Sequence, residues 1–70
     1  MPENMIIYKQ ITFNSCGIHE EVRSIFFEEP QDARDFINDV WKLFSTVVDV
    51  QRYDYTGYEY VLVERKHRDL

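Results

Sequence analysis

Seventy residues make one domain with a single core, too little chain for an enzyme cleft walled by two layers on each side. Hydrophobic residues at 44% and aromatics at 16% exclude a disordered acidic tail and predict an ordered fold. Thirteen Asp and Glu against eight Lys and Arg, a net charge of -5, disfavour a nonspecific nucleic-acid footprint, which depends on neutralising phosphates, and direct the expectation toward neutral or basic protein surfaces.

No apolar run approaches the roughly 20 residues needed to cross a bilayer. The stretch Met1-Pro2-Glu3-Asn4 lacks the positive and apolar regions of a secretory leader, and Cys16 has no second cysteine to pair with. A cytoplasmic location is the expectation that follows.

From Met5 to Phe13 the chain is rich in β-branched and aromatic residues, Asn14-Ser15-Cys16-Gly17 is turn chemistry, and His19 to Phe27 resumes a strand pattern, so the first two strands read as a hairpin. Ile18, Val22 and Phe26 point one way along the second strand and Ile25 and Phe27 the other, as in a strand with apolar material against both faces. Lys9 interrupts Ile7, Ile11 and Phe13; a charge there marks either a protected edge strand or a side chain that snorkels from the core.

Glu28-Glu29-Pro30 opens a helix, because proline suits the first turn and the acidic groups Glu28, Glu29, Asp32 and Asp35 lie at the positive end of the helix dipole. Ala33, Phe36, Ile37, Val40, Trp41 and Phe44 follow the helical spacing of one buried stripe. The opposite face carries Asp32, Arg34, Asp35, Asn38, Asp39 and Lys42.

Thr46-Val47-Val48 favours leaving the helix, and Val48 to Tyr55 and Tyr58 to Arg65 read as a second hairpin. Four of the five tyrosines lie in Tyr53-Asp54-Tyr55-Thr56-Gly57-Tyr58-Glu59-Tyr60. With a two-residue Thr56-Gly57 loop, Tyr55 faces Tyr58 and Tyr53 faces Tyr60; the quartet then shares one face with Leu62, while Val48, Val50, Val61 and Val63 share the other. Thr is a poor residue for the positive φ of a type I′ turn, so a three-residue Tyr55-Thr56-Gly57 loop with a bulge competes, and it would send Tyr58, Tyr60 and Leu62 to the core side. The last residues, 66–70, read as a frayed basic tail.

The order is ββαββ: an α+β fold with a four-stranded antiparallel sheet and one amphipathic helix on one face, a single domain over 1–70. One helix covers only one face, which leaves Tyr53, Tyr55, Tyr58, Tyr60 and Leu62 outward as a partner-binding surface. The carboxylates Glu28, Glu29, Asp32, Asp35 and Asp39 form a second candidate, an acidic face that steers a partner or imitates the phosphates of a nucleic acid, against the plainer reading of helix stabilisation and solubility. Cys16, His19 and His67 fall short of the four ligands of a structural zinc site, and a cysteine at a hairpin tip offers no sheltered nucleophile, so no metal, cofactor or catalytic residue is expected.

The expectation is therefore a small non-enzymatic protein-binding module acting stoichiometrically, as inhibitor or adaptor. A self-assembling homodimeric module is the alternative, and a nucleic-acid mimic that blocks a basic groove is a lesser one. In size, acidity and aromatic content the chain resembles small inhibitors and adaptors encoded by phages and mobile elements, a likeness of type that no motif carries.

Overall fold

A computed structural model describes residues 5–69. Met1 to Asn4, which lack the features of a secretory leader in sequence, and Leu70 at the end of the basic tail lie outside the described residues. The elements run β1 (Met5–Asn14), β2 (Gly17–Phe26), α1 (Pro30–Leu43), β3 (Val47–Tyr55) and β4 (Tyr60–His67), the ββαββ order expected from the periodicities. Among the described residues the strands form one antiparallel sheet in the order β2-β1-β3-β4. Because β2 and β3 flank β1 and both run against it, the connection through α1 must pass over β1, and this crossing lays the helix on one face.

Pro30 stands in the first turn of α1, Asp32 adds negative charge there and Lys42 adds positive charge in the last turn, each matching the helix dipole. Ala33, Ile37 and Val40 are buried against Ile6, Tyr8, Val47 and Val50, with Ile25, Phe27, Phe36 and Trp41 around the margin. The Tyr8 ring meets Phe36 edge-on at 5.1 Å between centroids. Each such apolar side chain, fully buried, contributes about 1.5–3 kcal/mol. Phe44, the last residue of the predicted stripe, is instead exposed, because the backbone has already turned extended at this C-terminal cap position. It borders a groove of about 360 Å³ with Gln10, Thr12, Phe36 and Val40.

Two bulges control which side chains face the helix. Ile11 opposes Asp49 but Thr12 opposes Val47, so Val48 is an extra residue in β3; likewise Arg52 opposes Glu64 but Tyr53 opposes Leu62, so Val63 is extra in β4. Val47 rather than Val48 therefore joins the core cluster beside Val50. The expectation that Val61 and Val63 also pack under the helix is corrected: both are exposed. Fourteen helical residues span about 21 Å whereas a ten-residue strand spans about 33 Å, so one helix cannot cover the full length of its own face. At the uncovered end Arg52 lies between Asp54, at 3.1 Å, and Glu64, at 3.4 Å.

Three further expectations are corrected. The Thr56-Gly57 hairpin has neither a two-residue nor a three-residue loop: Tyr55 pairs with Tyr60 and Tyr53 with Leu62, leaving Thr56 to Glu59 as the connection. The physical reason is the one that weakened the shorter loop, since Gly57 has φ of 94° while no non-glycine residue among the described ones has positive φ, Thr56 included. Thr56 instead organises the turn, its hydroxyl accepting from the Glu59 and Tyr58 amides at 3.1 and 3.3 Å. Secondly, β1, which carries Lys9, is an interior strand and not an edge.

Thirdly, the basic end is not frayed as far as it is described. Strand β4 continues to His67, the Arg68 amide donates to the Val48 carbonyl at 2.9 Å, and the Arg68 guanidinium lies 3.8 Å from the Trp41 ring centroid while donating to the Trp41 carbonyl. A cation held over the electron-rich face of an indole has reason to stay there.

Candidate interaction surface on the uncovered sheet face

Pairing register assigns each strand residue to a face. Away from the helix lie Ile7, Lys9, Ile11 and Phe13 of β1, Ile18, Glu20, Val22 and Phe26 of β2, Asp49, Gln51, Tyr53 and Tyr55 of β3, and Tyr60, Leu62, Arg65 and His67 of β4. The helix packs on the opposite face, and no further helix or strand is available among the described residues to form a layer over this one. Phe13, Ile18, Val22, Phe26, Tyr60 and Leu62 are each between 41% and 65% exposed, an apolar display that solvent alone does not favour. With strands about 4.8 Å apart and about 3.3 Å per residue, the face projects roughly 600 Å², approaching the roughly 800 Å² that each partner contributes to a standard protein interface.

Of the residues predicted for this surface, Tyr53, Tyr55, Tyr60 and Leu62 are brought together. The Tyr55 and Tyr60 rings stand 5.0 Å apart, tilted by 48°. Lengthening the loop from two to four residues slides the strands by two, and a slide of two preserves the face. Tyr58 is not brought to the platform: it sits in the loop, 87% exposed.

A polar cluster that sequence reasoning missed adjoins the tyrosines. Asp49 is 2% exposed. Its Oδ2 accepts from Arg65 Nη2 at 2.8 Å, Arg65 Nε at 3.1 Å and His67 Nδ1 at 2.8 Å, while its Oδ1 accepts from Gln51 Nε2 at 3.1 Å. The Tyr53 hydroxyl donates to Gln51 Oε1, so the chain of hydrogen bonds runs from the aromatic platform to the buried carboxylate. Burial by itself would raise the Asp49 pKa; hydrogen bonds donated by Arg65, Gln51 and His67 outweigh it and hold the carboxyl below its ordinary value. An ionised Asp49 can only accept, which puts the proton on His67 Nδ1. The signal in the sequence was the alternation Asp49, Gln51, Tyr53, Tyr55, but the arrival of Arg65 and His67 on the same face depends on the bulge at Val63.

The charges of this face balance. Lys9 pairs with Glu20 at 3.3 Å and Arg65 with Asp49 at 2.8 Å, so with His67 neutral the face carries no net charge although the chain carries -5. The excess negative charge lies elsewhere. Glu28, Glu29, Asp32, Asp35 and Asp39, the predicted acidic face, are all exposed around α1; Glu29 is its N-cap residue without a side-chain capping bond, and Asp35 accepts from Gln31 at 3.0 Å.

Cys16 is exposed at the β1–β2 turn, and His19 and His67 lie on β2 and β4 at opposite edges of the sheet. No helix among the described residues is long and apolar enough to cross a membrane. Comparison with protein-family models, with curated proteins and with solved structures finds no match.

Proposed function

We propose that this protein is a non-enzymatic binding module that acts stoichiometrically, as an inhibitor or adaptor, by laying its uncovered sheet face on a protein partner. The observation that carries this reading is a broad, ordered, charge-balanced face with Tyr53, Tyr55, Tyr60 and Leu62 at one end and Phe13, Ile18, Val22 and Phe26 at the other. Tyrosine supplies large contact area at low entropic cost together with a hydroxyl, which is why it concentrates at interface centres. The Asp49 cluster fits a rim of such a contact, because Arg65 and His67 are held in place yet remain half-exposed for a partner's acceptors.

The test is to isolate the protein with its bound partner from cells that carry it, reconstitute the pair, and compare the native chain with Tyr60→Ser/Leu62→Ser. Both substituted side chains are already substantially exposed, so the fold should persist while affinity falls about 100-fold, the scale of two interface anchors. Unchanged affinity in the double variant would refute the reading. A grip that collapses with added salt and depends on Asp32, Asp35 and Asp39 would replace it with the acidic helix as a nucleic-acid mimic.

A further inference from the structure

We infer that the protein also pairs with a second copy of itself along the free edge of β2, joining two four-stranded sheets into one continuous eight-stranded sheet. This inference rests on the backbone edge of β2 rather than on the plane of the proposed docking face, although Ile18, Val22 and Phe26 of that face flank the seam.

The two edges of the sheet differ in how well they resist pairing. Strand β4 has eight residues, is broken by the bulge at Val63 and carries Arg65, Lys66 and His67 in succession; interruption and basic charge both discourage another strand. Strand β2 has ten residues, no proline and an unbroken ladder with β1 from Gly17 to Phe26. Asn14 and Gly17 close a two-residue hairpin, and such a closing pair exchanges its hydrogen bonds across the turn. Counting outward by twos, Ile18, Glu20, Val22, Ser24 and Phe26 turn their N–H and C=O groups away from β1 toward the free edge.

A two-fold dimer of antiparallel β2 strands must match these outward residues with one another, which leaves few registers. Centring the axis on Glu20, Glu21 or Arg23 sets each of those charges against its own copy. Centring it on Ser24 cuts the overlap to about half. Centring it on Val22 satisfies every requirement together.

Val22 then meets Val22 of the second copy, Ile18 meets Phe26, and about ten backbone hydrogen bonds form across the seam. On the helix side Glu21 falls opposite Arg23 in both symmetry-related places. Within one chain these two groups are only loosely paired, at 3.8 Å, and although Arg23 also stands 5.6 Å from the Tyr8 ring centroid, both side chains are about half-exposed and within reach of the free edge. Ile18, Val22 and Phe26, each more than half exposed in the single chain, become the centre of the extended face.

The experiment is sedimentation equilibrium of the full chain from low to high micromolar concentration, with circular dichroism as a check on folding. The native chain should show a monomer–dimer equilibrium. Val22→Pro removes an N–H that β1 does not use, and proline is tolerated where a strand's N–H faces the free edge, so this variant should be folded and monomeric. Glu21→Arg alone and Arg23→Glu alone should each weaken dimerisation about tenfold, since two cross-strand pairs turn from attraction to repulsion. The double variant Glu21→Arg/Arg23→Glu should restore the dimer.

A native chain that stays monomeric throughout would overturn the inference. So would a dimer that survives Val22→Pro, one that dissolves in Tyr60→Ser/Leu62→Ser instead, or a charge swap that does not rescue. If Val22→Pro does not fold, the charge-swap series alone decides.

Discussion

Alkaline pH should destabilise this protein through one side chain, Tyr8. The residue is fully buried, with its ring against Phe36 and its hydroxyl donating to Gln10 Oε1 at 2.6 Å. Burial is the main cause that pushes its phenol up to about 12 from 10.0; Arg23 nearby works against the rise and Glu21 with it. The fold thus accommodates the neutral phenol, whereas the unfolded chain releases the proton near pH 10. Stability from this group is fully present below pH 10 and is lost as pH rises toward 12. Two pKa units at about 1.36 kcal/mol each make about 2.7 kcal/mol.

At about 0.05–0.15 kcal/mol per residue, a domain of this size has only about 3.5–10 kcal/mol in all, so the loss is a large share. Urea unfolding followed by circular dichroism at steps from about pH 9 upward, on the native chain and on Tyr8→Phe, measures it. The variant gives up the hydrogen bond to Gln10, about 1 kcal/mol at neutral pH, but should lose less than the native chain as pH rises. Contributions common to the native chain and the variant cancel in the comparison. A native-minus-variant difference that stays flat across the range would refute the assignment of the alkaline loss to Tyr8.

The Asp49 cluster should act at the other end of the pH scale. Its folded pKa is depressed, so its stabilisation is present above the ordinary carboxylate range and disappears as pH falls through the folded value. Asp49→Asn should cost about 1–3 kcal/mol near neutrality, toward the low end because Arg65 and His67 are half-exposed and regain water, and should flatten the acid limb of the stability curve; an unchanged acid limb would remove Asp49 from the account. Arg68→Ala should cost about 1–2 kcal/mol and shift the fluorescence of Trp41, the single tryptophan, to the red as the indole face meets water, whereas unchanged emission would mean that Arg68 does not cover it in solution.

The Asp49 cluster also bears on how the proposed docking face keeps its shape. A sheet face with no layer over it loses the packing that ordinarily fixes rotamers. The hydrogen-bond chain from Tyr53 through Gln51 to Asp49, with Arg65 and His67 closing from β4, ties the two strands of the tyrosine hairpin together on that face. Side chains ordered before contact lose less entropy on binding, so under the proposed function the cluster would add to affinity by preparing the surface even where it touched no partner.

The periodicities of the chain were enough to read its elements and their chemistry. The 3.6-residue spacing of Ala33, Ile37 and Val40 selects the buried stripe of α1, and the alternation from Tyr53 to Leu62 places the aromatic residues on the side away from it, because these patterns arise within one element and need no knowledge of its neighbours. Strand order was not legible, and so Lys9 could not be assigned to an interior strand. Nor were the two bulges. Whether a strand accommodates an extra residue depends on the hydrogen bonds of its neighbour, and each extra residue reverses the sequence parity that follows it. The bulge at Val48 puts Val47 and Asp49 on opposite faces, and the bulge at Val63 puts Arg65 and His67 on the face of Tyr60 and Leu62. The sequence by itself therefore determined a sheet with a helix on one side and tyrosines on the other, while only the pairing of strands distant in the chain decided that a buried carboxylate and its basic partners would stand beside them.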